Sequence, residues 1–169
     1  AVFLGKYLKS KRPDITVIIH RDRDYHDDKI IDSIRKNIEK DGFVFFVTKG
    51  VDLEGEYICP YHINAIYPVI SVERAEELIK DATDKVKNDS RDRLIDQDLK
   101  SNTPEQLAYA KRYRELSKKY DDDVKRYRYG KKVIGELKSM IQQIIKINPD
   151  LFVETDFIKN EELVKFFAV

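Results

Sequence analysis

A short β-branched run that ends at a crowded group of carboxylates does most to constrain how this chain can fold. Residues 15–20 read ITVIIH, and residues 21–28 follow at once as RDRDYHDD. An apolar run of this length without helical periodicity is typical of a strand that is buried on both faces of a parallel sheet. The pattern therefore predicts an α/β fold whose sheet contains this strand.

Two of the carboxylates, Asp22 and Asp24, are two residues apart directly after the predicted strand. Side chains at this spacing on a strand point the same way, and open α/β sheets place their ligands at the carboxyl ends of strands. Clustered oxygen donors suit Mg²⁺ or Mn²⁺, so the spacing favours a divalent-metal site. The alternative is a solvated turn in which Asp27 or Asp28 caps the next helix.

The composition indicates a globular domain with a heavily solvated exterior. Of the 169 residues, 41% are hydrophobic and 37% are charged, with a formal net charge of +1.

The single cysteine, Cys59, excludes an internal disulfide framework and fits a reducing compartment. No apolar run approaches the roughly 20 residues that a membrane span needs. We therefore expect a cytoplasmic protein without a membrane partner. The absence of an initiator Met predicts that residues 1–169 are one domain of a longer chain.

A helix and a second strand are predicted after the carboxylates. Apolar residues recur at helical spacing from Ile30 to Ile38, and Gly42 is placed to end this helix in the left-handed conformation. Residues 43–47 read FVFFV, which predicts a second buried strand. A strand, a helix and a strand joined by a connection of this length form a right-handed βαβ unit. We therefore expect two parallel neighbouring strands.

Two further acids, Glu54 and Glu56, follow the second predicted strand. They are candidates for the same pole of the sheet as Asp22 and Asp24. The alternative is that they are loop carboxylates that face water, as most Glu side chains do.

A late amphipathic helix is predicted to begin at Gly130 and Lys131 and to cover the sheet. A Gly-Lys pair at a helix start can place an ammonium beside a phosphate held at the amino end of the helix. It does not form a Walker A loop, because the upstream glycine spacing of that loop is absent. A short terminal helix is expected over about residues 160–167.

The region from residue 71 to about 129 is charged and predicted to be helical, with helix starts at residues 71–74 and 103–106. Its few large apolar residues predict an insertion without a core of its own, packed on or beside the sheet.

Within residues 111–132, ten Lys and Arg and four acids leave a local charge of +6, and tyrosines are interleaved with them. This pattern favours nucleic-acid binding. The alternative is an exposed helix pair laced with intrahelical salt bridges.

Three strings of the sequence, in this order, resemble one family. They are HRDRDYHDD after the first strand, DLEGEYICPYHI after the second, and YGKKVIGEL on the late helix. The chain resembles the Toprim nuclease domain at the carboxyl end of the OLD (overcoming lysogenization defect) ATPase–nucleases and related ATPase-linked phage-defence proteins. The matching positions run from about residue 15 to 135. They include the RDxD-like string at 21–24, Glu54, Tyr57, Pro60, His62, Ile63, and the Gly-Lys pair at 130–131.

The chain departs from the family pattern at two points. The glutamate that opens a Toprim domain has no counterpart here, and the family's ATPase module is absent from the 169 residues. We expect that module upstream in a parent chain.

The resemblance implies a Toprim-like parallel sheet flanked by helices, with a charged helical insertion over about residues 71–129. It implies a divalent-metal-dependent endonuclease that hydrolyses phosphodiester bonds of DNA in anti-phage defence, with Mg²⁺ or Mn²⁺, an upstream ATPase domain and a homodimer as partners. The alternative is a degenerate, non-catalytic Toprim-like domain used for dimerisation or partner docking. The residues implied are Asp22, Asp24, Glu54 and Lys131 for catalysis, Asp22, Asp24, Glu54 and Glu56 for the metal, and Arg126, Tyr127, Arg128, Tyr129 and Lys132 for nucleic acid.

Overall fold

A computed structural model of the chain describes residues 1–101, 106–158 and 164. Over these residues the protein is mostly helical, with one small sheet of two parallel strands. The helix start predicted at residues 103–106 lies outside the described residues up to residue 105. The predicted terminal helix at about 160–167 also lies outside them, apart from residue 164.

Eight helices and two strands follow one another in the described residues. The strands are β1 (Ile18–Arg21) and β2 (Val44–Val47), and short 3-10 helices occupy Leu53–Tyr57 and Asp156–Ile158. The helices are α1 (Val2–Lys11), α2 (Asp28–Lys40), α3 (Pro60–Ile66), α4 (Val72–Lys85), α5 (Lys87–Ser101), α6 (Gln106–Asp122), α7 (Val124–Tyr127) and α8 (Gly130–Ile145).

The predicted βαβ unit is confirmed. Strands β1 and β2 are parallel neighbours, with Ile18 opposite Val44, and α2 connects them. The carboxylate of Asp27 accepts the amide of Ile30 at 2.9 Å and so caps α2. At the other end of α2, Gly42 has a φ of 75°, the left-handed conformation that glycine adopts without a steric cost.

Strand β1 is less buried than the sequence predicts. Of its four residues only Ile19 is buried, while His20 and Arg21 are exposed. The apolar side chains of the sheet pack with Ile31 and Ile38 of α2 and, in part, with Val2 of α1. Because the sheet has only two strands among the described residues, the prediction that β1 is buried on both faces is wrong.

The largest hydrophobic core lies among α3, α4 and α8 rather than at the sheet. Val133, Leu137 and Ile141 of α8 are fully buried there, together with Ile63 of α3. The prediction that α8 covers the sheet is therefore wrong. Its apolar stripe is buried as expected, but α4 offers it a facing stripe of its own.

Helices α5, α6 and α7 bury a separate cluster, which corrects the prediction that residues 71–129 have no core of their own. Leu94 and Ile95 of α5 pack with Leu116 and Tyr120 of α6 and with Tyr127 of α7. Two tyrosines supply much of this buried apolar area. Counting only aliphatic residues in the sequence therefore underestimates the core.

Candidate functional site

Three segments meet at the carboxyl ends of β1 and β2. Asp22 follows β1 directly, and its Oδ1 accepts the amide of Leu53 at 3.1 Å. Leu53 opens the 3-10 helix that follows β2. The amino end of α8 reaches the same place, because the amide of Lys131 donates to Asp52 Oδ2 at 3.1 Å. We call Asp22, Asp52, Glu54 and Lys131 the acidic cluster.

Asp52 is the central residue of the acidic cluster, and the sequence analysis did not select it. Its side chain is almost fully buried, at 3% exposed. Oδ1 accepts the amide of Gly55 at 3.0 Å, while Oδ2 accepts the amide of Lys131. The one sequence signal for it is an Asp three residues before a glycine, which is typical of a side chain that caps a short turn.

The start of α8 approaches Asp52 so closely that only glycine fits at position 130. A Cβ at Gly130 would overlap Asp52 Oδ1 as well as the backbone of Gly55. The amino end of α8, where the sequence predicts a phosphate, therefore holds the Asp52 carboxylate. The partial positive charge of the helix end favours an anion at this position.

Burial is the main cause that raises the pKa of Asp52 above its ordinary value. The hydrogen bonds from Lys131 and Gly55 act in the opposite direction, and the negative charges of Glu54 and Asp22 raise the pKa further. Asp52 is therefore close enough to Glu54 and to Asp22 for their negative charges to act on it.

The side chain of Lys131 places an ammonium near one acid of the cluster. Lys131 Nζ lies 3.9 Å from Glu54 Oε1, and half of the Lys131 side chain is exposed. His20 is another basic group nearby, with Nε2 3.6 Å from Asp22 Oδ1 and its ring stacked on Phe46. The cluster therefore combines carboxylates with an accessible cation.

Asp24 and Glu56 are placed differently from Asp22 and Glu54. Asp24 is exposed and has a φ of 51°, and its amide donates to the carbonyl of Val51 at 2.8 Å. Because β1 ends at Arg21, the two-residue rule for strands does not fix where the Asp24 side chain points. Glu56 accepts the amide of Lys49 at 3.0 Å. Their roles as metal ligands stay predictions.

Two of the residues predicted to bind nucleic acid are buried. Tyr127 is 7% exposed and belongs to the core of α5–α7, and Arg128 is 8% exposed. Arg128 Nη2 donates to the carbonyl of Ile58 at 3.3 Å. Burial lowers the pKa of Arg128, and the negative charges of Asp52 and Glu56 partly oppose this. In this arrangement neither side chain presents a surface to a nucleic-acid strand.

The other three predicted nucleic-acid residues contact neighbouring side chains. Arg126 Nη2 lies 2.9 Å from Asp28 Oδ1. Lys132 Nζ lies 3.1 Å from Asp89 Oδ2, and the guanidinium of Arg93 lies 4.2 Å from the ring centre of Tyr129. Each of these contacts joins different elements of the fold, so none of them is one of the intrahelical salt bridges of the alternative.

Comparisons of the chain with protein-family models, with curated proteins and with solved structures gave no significant match. The resemblance to Toprim domains therefore depends on the three strings alone. No helix in the part of the chain that the structure describes has the length and apolar character to cross a membrane.

Proposed function

We propose that this chain is a divalent-metal-dependent endonuclease domain that hydrolyses phosphodiester bonds of DNA. The observation that carries the proposal is the convergence of Asp22, Asp52, Glu54 and Lys131 at the carboxyl ends of two parallel strands. Ligand sites of open parallel sheets lie at this edge. Carboxylates beside one accessible ammonium are suited to a metal ion and a phosphate together.

The residues of the acidic cluster fit an open Mg²⁺ or Mn²⁺ site. Mg²⁺ is commonly held by one or two carboxylates, with waters and substrate phosphates completing its coordination. Within the cluster Asp22 and Glu54 are the two candidates, since Asp52 is almost fully buried and each of its oxygens already accepts a backbone amide. Asp24 and Glu56 stay predicted ligands outside the cluster. Among residues 1–101, 106–158 and 164, no three His, Cys, Asp or Glu side chains are grouped closely enough to hold a metal ion between them. An open site does not require such a group.

The chain's own residues have separable tasks in this proposal. Asp52 positions the others, because it joins the 3-10 helix after β2 to the first turn of α8 and so fixes Lys131 near Glu54. Lys131 can neutralise the negative charge that develops on a phosphate oxygen. The ion, when bound, would polarise the phosphoryl oxygen and lower the pKa of a water ligand.

The wider setting of the proposal is supported by the resemblance alone. It comprises a Toprim-like domain of an ATPase–nuclease in anti-phage defence, an ATPase domain in the same parent chain, and a cytoplasmic homodimer.

Nicking of supercoiled plasmid tests the proposed activity. We expect Mn²⁺- or Mg²⁺-dependent nicking by the wild-type protein and at least a tenfold loss in Asp22→Asn and in Glu54→Gln. Asp32→Asn is the matched control, because Asp32 is an exposed carboxylate of α2 outside the acidic cluster. Unchanged nicking in both cluster variants would contradict the assignment.

A non-catalytic dimerisation domain is the second candidate, and one observation favours it. Helix α1 exposes Phe3 and Leu4, at 86% and 58%, together with Tyr7. Lys6 and Lys9 are engaged by Asp41 and the carbonyl of Gly42. The exposed face of α1 is therefore largely apolar, which suits contact with a second copy of the chain. Sedimentation should show a dimer that Phe3→Ser/Leu4→Ser dissociates. A wild-type monomer would exclude this candidate.

A further inference from the structure

A cavity of about 660 Å³ lies next to the acidic cluster, among the segment that follows β2, helix α7 and the 3-10 helix Asp156–Ile158. Leu53 connects the cavity to the acidic cluster, because its amide donates a hydrogen bond to Asp22 and the residue also lines the cavity. Gly55, the amide partner of Asp52, lines the cavity as well. A molecule in the cavity would therefore be an immediate neighbour of a group held at the cluster.

The volume of the cavity limits what it can enclose. Pockets of about 300–1,000 Å³ typically enclose one small molecule. One unpaired nucleotide fits within this range, whereas a base-paired duplex is too wide to enter such a cavity.

Two cations of the cavity wall are available to bind phosphate. Lys49 and Lys125 line the cavity and are exposed. Within the described part of the chain, neither ammonium forms a hydrogen bond or an ion pair with another residue. Lysine ammonium groups of this kind neutralise nucleic-acid phosphates.

The other charged groups of the cavity wall already have partners. The carboxylate of Glu56 accepts the amide of Lys49, and that of Asp123 accepts the amide of Arg126 at 3.1 Å. The guanidinium of Arg126 pairs with Asp28. Glu56 and Asp123 keep their negative charges, but each carboxylate already accepts a backbone amide. The ammonium groups of Lys49 and Lys125 are therefore the charged groups of the wall that can donate hydrogen bonds to an incoming ligand without losing a partner among the described residues.

Apolar and aromatic residues form much of the remaining wall. Phe157 lines the cavity and is 53% exposed. Its ring stacks on the ring of Tyr61, with 5.6 Å between the two ring centres. Aromatic rings beside a basic groove are the usual platform on which unpaired bases stack. The wall residues of this kind are Phe46, Leu53, Tyr57, Ile58, Phe157, Ile158 and Val164.

We infer that this cavity binds an unpaired nucleotide of the DNA strand whose neighbouring phosphodiester lies at the acidic cluster. The substrate is then a single-stranded segment or a frayed end rather than an intact duplex. Lys49 and Lys125 hold the phosphates of that nucleotide, and the aromatic wall holds its base. This inference rests on the proposed function, since it names the substrate class of the same site.

Fluorescence anisotropy in metal-free buffer with a chelator tests this binding without any hydrolysis. The probes are a fluorescein-labelled ten-residue oligothymidylate and a labelled blunt hairpin of ten base pairs. We expect the oligothymidylate to bind at least tenfold more tightly than the hairpin. Equal or tighter binding of the hairpin would overturn the inference.

Two variants test whether the oligothymidylate binds in the cavity, and a third variant controls for the loss of positive charge. Lys49→Ala/Lys125→Ala should weaken oligothymidylate binding at least tenfold, and Phe157→Ala at least fivefold. Lys36→Ala/Lys40→Ala removes the same charge from the exposed face of α2, outside the cavity, and should change binding less than twofold. An equal loss in both double variants would mean nonspecific attraction and would overturn the assignment. Thermal melting by circular dichroism checks that each variant is folded.

The outcomes separate this inference from the proposed activity. Binding that depends on Lys49 and Lys125, together with no metal-dependent hydrolysis, would support the cavity and refute the nuclease. Hydrolysis that prefers duplex DNA and is unchanged in Lys49→Ala/Lys125→Ala would support the nuclease and refute the cavity.

Discussion

At the scale of single residues, the candidate site depends on Asp52, a carboxylate that accepts hydrogen bonds from two backbone amides. Asp52 connects the turn after β2 to the start of α8 through two amides, although it is buried beside Asp22 and Glu54. Two hydrogen bonds to a charged acceptor offset part of the cost of burying it. The electrostatic repulsion within the cluster remains, and it is the property that a divalent cation would relieve.

The pH dependence of stability should reveal the buried carboxylate. Burial raises the pKa of Asp52 in the folded state. The carboxyl group of Asp52 therefore binds its proton more tightly in the folded protein than in the unfolded chain. The stabilisation from this group is therefore complete below about pH 4 and is lost as the pH rises through the raised pKa. The free energy of unfolding of Asp52→Asn, relative to wild type, should accordingly increase between about pH 4 and 7.

Urea unfolding at a series of pH values provides this measurement, with Asp32→Asn as the control that should show no such trend. A constant difference between Asp52→Asn and wild type across the range would mean that the pKa of Asp52 is not raised in the folded protein.

Gly130→Ala should destabilise the protein by about 1–3 kcal/mol, because the added methyl group overlaps Asp52 and Gly55. Gly135→Ala is its matched control within α8. A Cβ at Gly135 meets nothing within 4 Å, so that change should stabilise the helix by up to about 1 kcal/mol. Urea unfolding followed by circular dichroism measures both. The same sign for the two variants would refute the close approach at Gly130.

The sequence makes part of this site predictable. Asp22, Glu54 and Lys131 could be chosen because each follows a strand or opens a helix, and the structure brings them together. Asp52 could not be chosen on charge alone. Its importance comes from a contact with α8 across 79 residues of chain, and a local pattern does not encode such a contact.

At the scale of elements, local patterns predict where helices and strands form better than which neighbours they meet. The βαβ unit followed from its apolar spacing and from the caps at Asp27 and Gly42. Helix α8 is amphipathic as the sequence predicts, but it packs on α4 and on the 3-10 helix after β2 rather than covering the sheet. An apolar stripe shows that one face is buried and does not identify the partner.

Helices α5 and α6 are joined by an ion pair with two hydrogen bonds. Arg112 donates from Nε and Nη2 to both carboxylate oxygens of Asp98, which is mostly buried. Removing a hydrogen bond to a charged group costs about 1.5–3 kcal/mol, and partial exposure of Arg112 reduces this. We expect Asp98→Ala to lower the free energy of unfolding by about 1–2 kcal/mol, as measured by urea unfolding.

Asp96→Ala is the control for this pair, because Asp96 is an exposed acid on the same helix. Its effect should stay within about 0.5 kcal/mol, as for most surface substitutions. Equal effects of the two substitutions would show that the Arg112–Asp98 pair adds nothing to stability.

At the scale of the whole molecule, three hydrophobic clusters divide the described residues. One lies under the sheet, one joins α3, α4 and α8, and one joins α5, α6 and α7. The acidic cluster lies where the segment after β2 and the start of α8 connect the first two. The geometry of the cluster therefore depends on packing between distant parts of the chain. For this reason the three motif segments predict which residues could form a site but not how their side chains are arranged.

The central claim is that the acidic cluster binds a divalent cation, and calorimetric titration with Mn²⁺ tests it most directly. The protein, its Asp22→Asn/Glu54→Gln variant and the Asp32→Asn control would be compared at neutral pH, each shown to be folded by circular dichroism. The account predicts binding by the wild type and the control and at least a tenfold weaker affinity in the double variant. Equal affinity in all three proteins, or no binding by the folded wild type, would contradict it.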